Sequence, residues 1–382
     1  MPSTRDPAAR HTAGAAAPPA TGAGASPAPG APARAPQVDL SLFYFAADSD
    51  ETKSDRYGLL LDGARFADAH GFTAVWTPER HFHPFGGLYP NPSVTGAAVA
   101  VATERVAIRA GSVVAPLHHP LRIAEEWSVV DNLSDGRVGV SFASGWHAAD
   151  FALRPEAYAD RRALVLEHAQ QVRRLWRGES ITVRDGTGAR RSVRVHPQPV
   201  QPELPVWITS AGHTETFRRA GAMGAGILTH LLGQDLDALA RNIAEYRATS
   251  GGDGHVALMV HTFLGDDEEE VRELVREPLC RYLRDSLGLL LGSRLDGRRR
   301  IDPARLRPAD VDFLVRRSFD RYFDHGGLLG TPAKAARVLE RLRRIGVDEV
   351  ACLIDFGLPA DTVLTGLERL AGLCDRGARG ER

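Results

Sequence analysis

A short apolar run changes abruptly into a polar loop in the segment Trp76-Thr77-Pro78-Glu79-Arg80-His81-Phe82-His83. Two later segments repeat this change after runs of β-type residues: Ala115-Pro116-Leu117-His118-His119-Pro120 and Ser144-Gly145-Trp146-His147. In a barrel of repeated strand-helix units, the residues just beyond the C-terminal ends of the strands converge on one face, where active sites lie. The recurrence therefore predicts a β/α barrel whose polar loops gather at one mouth.

The rest of the chain continues the alternation of strands and helices. Apolar runs with little polar alternation predict eight buried strands, at 38–46, 73–77, 106–114, 138–142, 205–209, 226–229, 256–263 and 349–354. Apolar residues at helical spacing predict helices at 55–70, 120–133, 155–176, 214–223, 234–249 and 361–374. This order is typical of the α/β class and predicts one (β/α)8 TIM barrel rather than an open sheet.

Two insertions and two terminal segments interrupt or flank the predicted barrel, which spans 37–375. Two short β-type runs, 181–183 and 192–195, predict a surface hairpin after the fourth helix. A long insertion, 266–330, begins with a polar helical stretch and has no strand signal before the eighth strand. Residues 1–36 are almost wholly Ala, Pro, Gly, Ser and Thr, which predicts a disordered tail, and 376–382 are predicted to be a flexible C-terminus.

Composition excludes several classes of protein. A net charge of −1 gives no long-range field for nucleic acid or an anionic membrane. No apolar run approaches the roughly 20 residues that span a bilayer, and the N-terminal segment lacks the apolar core of a secretory signal. The three cysteines, Cys280, Cys352 and Cys374, lie far apart, which favours a reducing compartment without disulfides. We therefore expect a cytoplasmic protein.

A set of ordered motifs links the chain to a known family. The motifs are Glu79-Arg80-His81-Phe82, Phe85-Gly86-Gly87, Pro90-Asn91-Pro92, Gly111 to Pro120, Ala124-Glu125-Glu126-Trp127, Asp131 to Arg137, Ser144-Gly145-Trp146-His147, Thr209-Ser210-Ala211-Gly212 and Leu228 to Gly233. In this order and spacing, over 38–370, the chain resembles the flavin-dependent luciferase-like monooxygenases, particularly the branch found beside polyketide and nonribosomal peptide assembly lines.

The chain departs from bacterial luciferase at one informative position. Luciferase has two consecutive histidines in the motif that begins here with Glu79, whereas this chain has Arg80 followed by His81. The departure places in doubt a luciferase-like role for the first of those positions. The resemblance therefore implies hydroxylation rather than light emission.

The resemblance also implies the cofactor and partners. It implies reduced FMN, with O2 as co-substrate, and oxygen transfer through a flavin C4a-peroxide in a cavity that excludes water. The barrel leaves no second domain for a nicotinamide, so a separate flavin reductase is expected to supply the reduced flavin. The implied substrate is a biosynthetic intermediate, either a small molecule or a group tethered to a carrier protein, with carbon or nitrogen as the oxidised atom.

Three residues are the candidates for catalysis. His81 is the leading acid/base, because an imidazole can hold or release a proton near neutral pH. His147 is the second proton donor, and Arg80 could contact an anionic cofactor. In the alternative interpretation His81 only bonds a neighbouring loop, and Arg80 forms an ion pair with Glu79 that shapes the loop.

Candidate contacts for the flavin ring follow the third and fourth strands. The family bulges its third strand beside the ring, often with a non-prolyl cis peptide, which places Gly111 and Ser112 there. Gly145 allows close approach, and Trp146 offers a flat wall, although it could instead be a buried core residue.

The FMN phosphate is expected at the segment that joins the fifth strand to its helix, because backbone N–H groups at a helix N-terminus bind anions. This segment is Thr209-Ser210-Ala211-Gly212-His213, followed by Thr214, for which an ordinary N-cap with Glu215 in the first turn is the alternative. By family analogy, Ser144, Tyr158 and Arg162 could complete the anion site. Thr229 and His230, which follow the sixth strand, are expected to line the same face. Arg162 could instead be a solvated helical residue and His230 a buried structural histidine.

The sequence predicts no metal site. The pairs His81/His83 and His118/His119 have poor ligand spacing, and no carboxylate motif accompanies them. No glycine-rich nucleotide loop opens a helix.

Two rival functions and two interaction surfaces stay open. The rivals are a deazaflavin-dependent oxidoreductase that transfers hydride on the same barrel and a non-catalytic flavin-binding barrel. Arg298-Arg299-Arg300 could meet an acidic carrier protein or be solvated, and Leu287 to Leu291 could be buried in a homodimer or under the barrel rim.

Overall fold

Eight parallel strands close into a barrel. The computed structural model describes residues 38–47, 55–287 and 306–378, with side chains up to residue 374. The barrel strands are β1 (Asp39–Phe43), β2 (Ala74–Thr77), β3 (Ala107–Val114), β4 (Val138–Ala143), β7 (Val206–Ser210), β8 (Gly226–His230), β9 (Val256–Leu264) and β11 (Glu349–Leu353). Each pairs in parallel with the next, and β11 pairs with β1, so the sheet has no free edge in this circuit. The predicted TIM barrel is confirmed, with strand ends shifted by at most three residues.

Helices connect the strands and cover the barrel. Their bounds are α1 (Gly58–Ala69), α2 (Pro92–Ala102), α3 (Pro120–Ser134), α4 (Arg161–Trp176), α5 (Thr214–Ala222), α6 (Leu236–Thr249), α7 (Glu268–Asp285), α8 (Pro308–Arg321), α9 (Pro332–Arg344) and α10 (Ala360–Ala378). Side-chain caps fix several starts: Asn91 accepts from Ser93 N at 2.8 Å, and Asp235 accepts from Ala238 N at 2.8 Å.

Three helices, α2, α8 and α9, were not predicted, and a fourth begins later than predicted. The sequence analysis missed α2, whose Ala, Gly and Val residues carry little polar contrast between faces. The helix predicted from Pro155 begins at Arg161, because short 3₁₀ turns occupy Ala148–Leu153 and Pro155–Ala157. Tyr158 therefore lies in the turn before α4 and not on the helix.

The predicted hairpin and the long insertion both interrupt the repeat. Strands β5 (Ile181–Arg184) and β6 (Arg190–Val193) form an antiparallel pair after α4. The insertion after β9 contains α7, α8, a π-helical turn Tyr322–Gly326 and a short strand β10 (Leu328–Gly330). Strand β10 pairs with the end of β9 through Leu328 and Thr262, so the expectation of no strand there was wrong. Three residues give too short an apolar run to distinguish a strand from a loop.

Some predictions concern residues outside the described ranges. They are the tail 1–36, the patch Arg298–Arg300 and most of Leu287 to Leu291. The predicted domain end at 375 falls inside α10, and residues 379–382 are not described.

A buried polar network closes the end of the barrel at which the strands begin, opposite the mouth. The guanidinium of Arg109 lies 5.0 Å from the ring of Trp76 and 4.7 Å from that of Trp207. It donates to Glu349 Oε2 at 2.5 Å, and Trp76 Nε1 donates to Glu349 Oε1 at 2.8 Å. A carboxylate with no exposed surface is tolerated here because donors surround it.

Within the described ranges, no helix is both long and apolar enough to cross a membrane. Cys280 and Cys352 are buried free thiols.

Candidate active site

Glu79 organises the loop that follows β2. Its Oε1 lies 2.8 Å from His81 Nε2 and 2.6 Å from His118 Nε2, and its Oε2 accepts from Val114 N at 2.7 Å. Its side chain is 1% exposed. One carboxylate therefore joins the end of β3 to two imidazoles at the barrel mouth.

Glu79 and His118 shift each other's ionisation. Burial alone would raise the pKa of Glu79, but the hydrogen bonds from His118 and His81 outweigh it, and the pKa is lowered. Burial would lower the pKa of His118, yet its bond to Glu79 outweighs burial, and the pKa is raised. Both shifts favour a carboxylate beside an imidazolium.

Arg80 does not pair with Glu79, so the expected internal ion pair is wrong. Its Nη1 donates to Asp150 Oδ1 at 3.0 Å and to Asp150 Oδ2 at 2.8 Å, and both side chains are buried. Neighbouring residues of an extended loop point in different directions, so Glu79 faces β3 and Arg80 faces the segment after β4. Asp150 was missed because its partner lies 70 residues away.

His147 lies beside this ion pair. Its Nδ1 is 3.4 Å from Asp150 Oδ1 and is buried without a hydrogen bond among the described residues. Burial, followed by the charge of Arg80, lowers the pKa of His147. The His83 ring lies 6.0 Å away. A neutral imidazole at neutral pH fits this environment.

Trp146 stands at the mouth rather than in the core. It is 44% exposed, and the Arg80 guanidinium lies 5.0 Å from its ring. The turn before it depends on Gly145, whose φ is +74°, because an added Cβ would lie 2.8 Å from both Phe151 and Val114. Ser144 is half-buried beside it.

The third strand is irregular at Gly111 and Ser112. The peptide between them is cis, and the register with β4 shifts between Gly111 and Val113. Ser112 Oγ lies 2.5 Å from Thr209 Oγ1, which also lies 2.7 Å from Ser141 Oγ. Three hydroxyls from β3, β4 and β7 thus meet inside the barrel.

The segment between β7 and α5 forms an open helix N-terminus. Ser210 Oγ accepts from His213 N at 3.1 Å, and the N-cap residue His213 makes no side-chain cap. Gly212 has a φ of +103°, and an added Cβ there would lie 3.0 Å from Gln234 Oε1. Ala211 is exposed. The alternative in which Thr214 is the N-cap is wrong, because its hydroxyl donates to Asn242 Oδ1 at 2.8 Å.

Tyr158 is covered by Arg161 rather than by Arg162. The Arg161 guanidinium lies 4.2 Å from the Tyr158 ring and donates to the Tyr158 carbonyl at 2.7 Å. Arg162 is exposed. Arg161 takes the place expected for Arg162 because α4 starts later than predicted, which changes the side chains that point toward this turn.

Thr229 and His230 line the mouth at the end of β8. Thr229 Oγ1 donates to the Ser210 carbonyl at 2.7 Å. His230 Nδ1 accepts from Leu232 N at 3.1 Å, which leaves its proton on Nε2. Burial lowers the pKa of His230 to about 4, so it is a neutral donor at neutral pH.

Asp355 is a further mouth residue that the sequence analysis missed. It accepts from Phe45 N at 2.7 Å, Ala46 N at 2.8 Å and Tyr89 Oη at 3.1 Å. Burial raises the pKa of Asp355 to about 7. Its position two residues after β11 was the available signal, since polar residues follow other strands at the same place.

The fold gathers one set of side chains with metal-ligand chemistry. Ligand atoms of Glu79, His81 and His118 lie within 4.8 Å of one another. The second histidine of each sequence pair lies outside this set. His83 Nδ1 accepts from Phe85 N, and His119 caps α3. In the described structure the three side chains satisfy one another through hydrogen bonds.

The chain is similar to known proteins over most of its length. The family described as luciferase-like monooxygenase matches residues 37–349. The oxygenase component of the flavin-dependent trigonelline monooxygenase of Acinetobacter baylyi is 25% identical over 334 residues, covering 84% of this chain and 89% of the relative. Limonene 1,2-monooxygenase of Rhodococcus erythropolis is 28% identical over 326 residues, covering 80% and 77%.

Solved structures share the fold over most of their length. Monooxygenase RslO1 from Streptomyces bottropensis has a TM-score of 0.73 at 22% identity and covers 90% of this chain and 100% of its own. The oxygenating constituent of 3,6-diketocamphane monooxygenase from Pseudomonas putida, solved with FMN, has a TM-score of 0.66 at 19% identity, covering 88% and 97%. An F420-dependent secondary alcohol dehydrogenase has a TM-score of 0.67 at 18% identity, covering 90% and 99%. With the family match over most of its length, this chain is an enzyme that belongs to the luciferase-like monooxygenase family.

Proposed function

We propose that this chain is the oxygenase component of a two-component system, which takes reduced FMN from a separate reductase and hydroxylates an organic biosynthetic intermediate with O2. The observation that carries the proposal is the contact of the irregular β3 with the segment before α5, where Ser112 Oγ lies 2.5 Å from Thr209 Oγ1. The named relatives, a flavin-dependent oxygenase component and a monooxygenase, support the reaction class.

The residues at the mouth fit a flavin phosphate. The α5 N-terminus lacks a side-chain cap, and Gly212 leaves open the space that a Cβ would fill against Gln234. The backbone N–H groups of Gly212 and His213 and the hydroxyls of Thr209 and Ser210 would hold the dianion, with the His213 N–H giving up its 3.1 Å bond to Ser210 Oγ. Ser144 and Tyr158 would complete the anion site.

The ring would lie beside Gly111 and Ser112. An added Cβ at Gly111 would lie 2.6 Å from the Phe43 side chain, so only glycine allows β3 to pack this closely against Phe43. Trp146 would supply one wall, while Gly145, Thr229 and the Nε2–H of His230 would face the same space. Reduced flavin supplies the electrons that activate dioxygen, so that one oxygen atom enters the substrate and the other leaves as water.

The chain's own residues hold and move protons. Glu79 orients His81 through the 2.8 Å contact, and His81 is the proposed acid/base. Asp150 holds Arg80 in place, which leaves the guanidinium to offer positive charge toward the mouth. His147, whose pKa is lowered, would hold or donate a proton as a neutral imidazole.

The test is turnover with a flavin reductase, FMN, NADH and candidate substrates, followed by accurate mass measurement of the products. We expect a product that gains one oxygen atom. Replacing His81 with Asn should lower product yield and release more hydrogen peroxide, whereas His70→Asn, between α1 and β2, should change neither. Oxygen consumption that equals the free-flavin background, with no new product, would contradict the proposal.

A deazaflavin-dependent hydride transfer is the second candidate. The F420-dependent dehydrogenase that shares this fold favours it, since the same barrel serves that cofactor there. Anaerobic titration of the protein with reduced FMN and with reduced F420 separates the two, because the proposal requires tighter binding of FMN. Carrier-protein docking and pairing of two copies stay predictions.

A further inference from the structure

A second cluster of polar side chains lies at the β9 side of the mouth. His261 is three residues before the end of β9 and pairs in register with Leu353, the last residue of β11. It therefore lies at the same end of the barrel as the candidate active site. The insertion covers it, because Tyr282 of α7 and Tyr322 of the π-helical turn both contact its ring.

Two buried polar atoms in this cluster have no hydrogen-bond partner among the described residues. They are His261 Nε2 and Tyr322 Oη, on side chains whose residues are 1% and 2% exposed. The Arg321 guanidinium lies 5.0 Å from the centroid of the Tyr322 ring. Native proteins satisfy almost all buried polar groups, and each exception calls for a ligand, a water or a functional reason.

The surroundings select the chemistry of a ligand. Aromatic rings meet His261 edge-on, with centroids 4.7 Å away at Tyr282, 5.4 Å at Tyr322 and 5.7 Å at Phe356. Burial, with the nearby His230, lowers the pKa of His261 to about 3, so the imidazole is neutral. An ionic group would lose its hydration here without a counter-charge from this histidine.

We infer that His261 and Tyr322 bind a hydroxyl group on an uncharged aromatic substrate. A neutral imidazole and a phenol each offer a donor or an acceptor, and a hydroxyl can donate to one and accept from the other. The aromatic walls fit a ring that carries this group. The inference rests on the proposed function, whose substrate it narrows to phenol-like molecules.

The test uses phenol, anisole and toluene, which have similar size but differ in hydrogen bonding. The protein is labelled with ¹⁵N-histidine, the His261 resonances are assigned with His261→Gln, and each probe is titrated. We expect phenol to move the His261 resonances and to bind about tenfold more tightly than toluene, equivalent to about 1.4 kcal/mol. Anisole, which can only accept, should lie between them.

A matched pair of variants separates recognition from stability. Tyr322→Phe removes an unpartnered hydroxyl, so the melting temperature should hold while the preference for phenol is lost. Tyr246→Phe removes a hydroxyl that donates to the Ala225 carbonyl at 2.9 Å at the other end of the barrel. This control should lower the melting temperature and keep the preference.

Equal binding of phenol and toluene by the wild type, or a preference that survives in Tyr322→Phe, would overturn the inference. Failure of the wild type to bind FMN counts against the proposed function instead, and it leaves the comparison of probes intact.

Discussion

Residues at the barrel mouth act through partners that lie far away in sequence. Glu79 binds His118, 39 residues away, and Arg80 binds Asp150, 70 residues away. The motif around Glu79 was sufficient to place these side chains at the mouth. The partners of Glu79 and Arg80 depend on which way each loop residue points, and no local pattern encodes that direction.

The ion pair of Glu79 with His118 predicts a defined pH dependence. The folded pKa of Glu79 is below its ordinary 4.5, so its contribution to stability is present above 4.5 and is lost as pH falls through the folded value. The folded pKa of His118 is above its ordinary 6.5, so its contribution is present below 6.5 and is lost as pH rises through the folded value. Both contributions are present together between pH 4.5 and 6.5.

Replacing Glu79 with Gln should lower the pKa of His118, because the charged acceptor is gone. The free energy of unfolding should fall by about 1–3 kcal/mol in the window between pH 4.5 and 6.5. Titration of the His118 ring protons by NMR and urea unfolding measure the two effects. Glu125→Gln, on the exposed side of α3, is the control and should leave the pKa of His118 unchanged; an unchanged pKa in Glu79→Gln would refute the pairing.

Helices that begin at the mouth place backbone N–H groups there as well as side chains. Helix α5 begins after Gly212 and ends before Gly224, both of which have positive φ values, +103° and +63°. The strand-turn-helix order was predictable from apolar spacing and glycine. The later start of α4 was not, because 3₁₀ turns and α-helices share their residue preferences.

Gly212 and Gly224 form a matched pair for testing the phosphate site. Gly212→Ala should weaken reduced FMN binding by about tenfold, or about 1.4 kcal/mol, because the added methyl narrows the proposed phosphate cradle. Gly224→Ala has nothing within 4 Å of the added methyl, so it should cost about 1–2 kcal/mol of stability through backbone strain and leave FMN binding unchanged. Anaerobic fluorescence titration and urea unfolding distinguish them. Equal FMN affinities for the two variants would count against a phosphate at α5.

At the scale of the whole molecule, the two ends of the barrel differ in the side chains that they carry. The mouth carries loops, hydroxyls and imidazoles, whereas the opposite end is closed by Arg109, Glu349 and two tryptophans. The sequence predicted the barrel because eight apolar runs alternate with helical segments. The polar network at the closed end was not predictable, since its members come from strands that are adjacent only after closure.

Glu349→Gln tests the stabilising role of the closed end. The change leaves the partly buried Arg109, whose side chain is 14% exposed, without its counter-charge, so the free energy of unfolding should fall by about 3 kcal/mol at neutral pH. Asp62→Asn removes an exposed pair with Arg65 and should cost about 1 kcal/mol or less. Urea unfolding of both variants measures the difference, and similar losses would show that burial adds nothing to the Glu349 pair.

The stability lost in Glu349→Gln should depend on pH in a predictable direction. Burial would raise the pKa of Glu349, but Arg109 and His255 outweigh it and lower the pKa. The contribution of Glu349 is therefore present above its ordinary 4.5 and is lost as pH falls through the lower folded value. Wild type and Glu349→Gln should converge in stability as the solution becomes more acidic.

The account depends on where the flavin binds, and a crystal structure of the protein with FMN measures this directly. We predict the phosphate at the N-terminus of α5, within hydrogen-bonding distance of backbone N–H groups at Gly212 and His213, and the ring beside Gly111 and Ser112. A phosphate bound at another helix, or a ring outside the mouth formed by β3, β4, β7 and β8, would contradict the account.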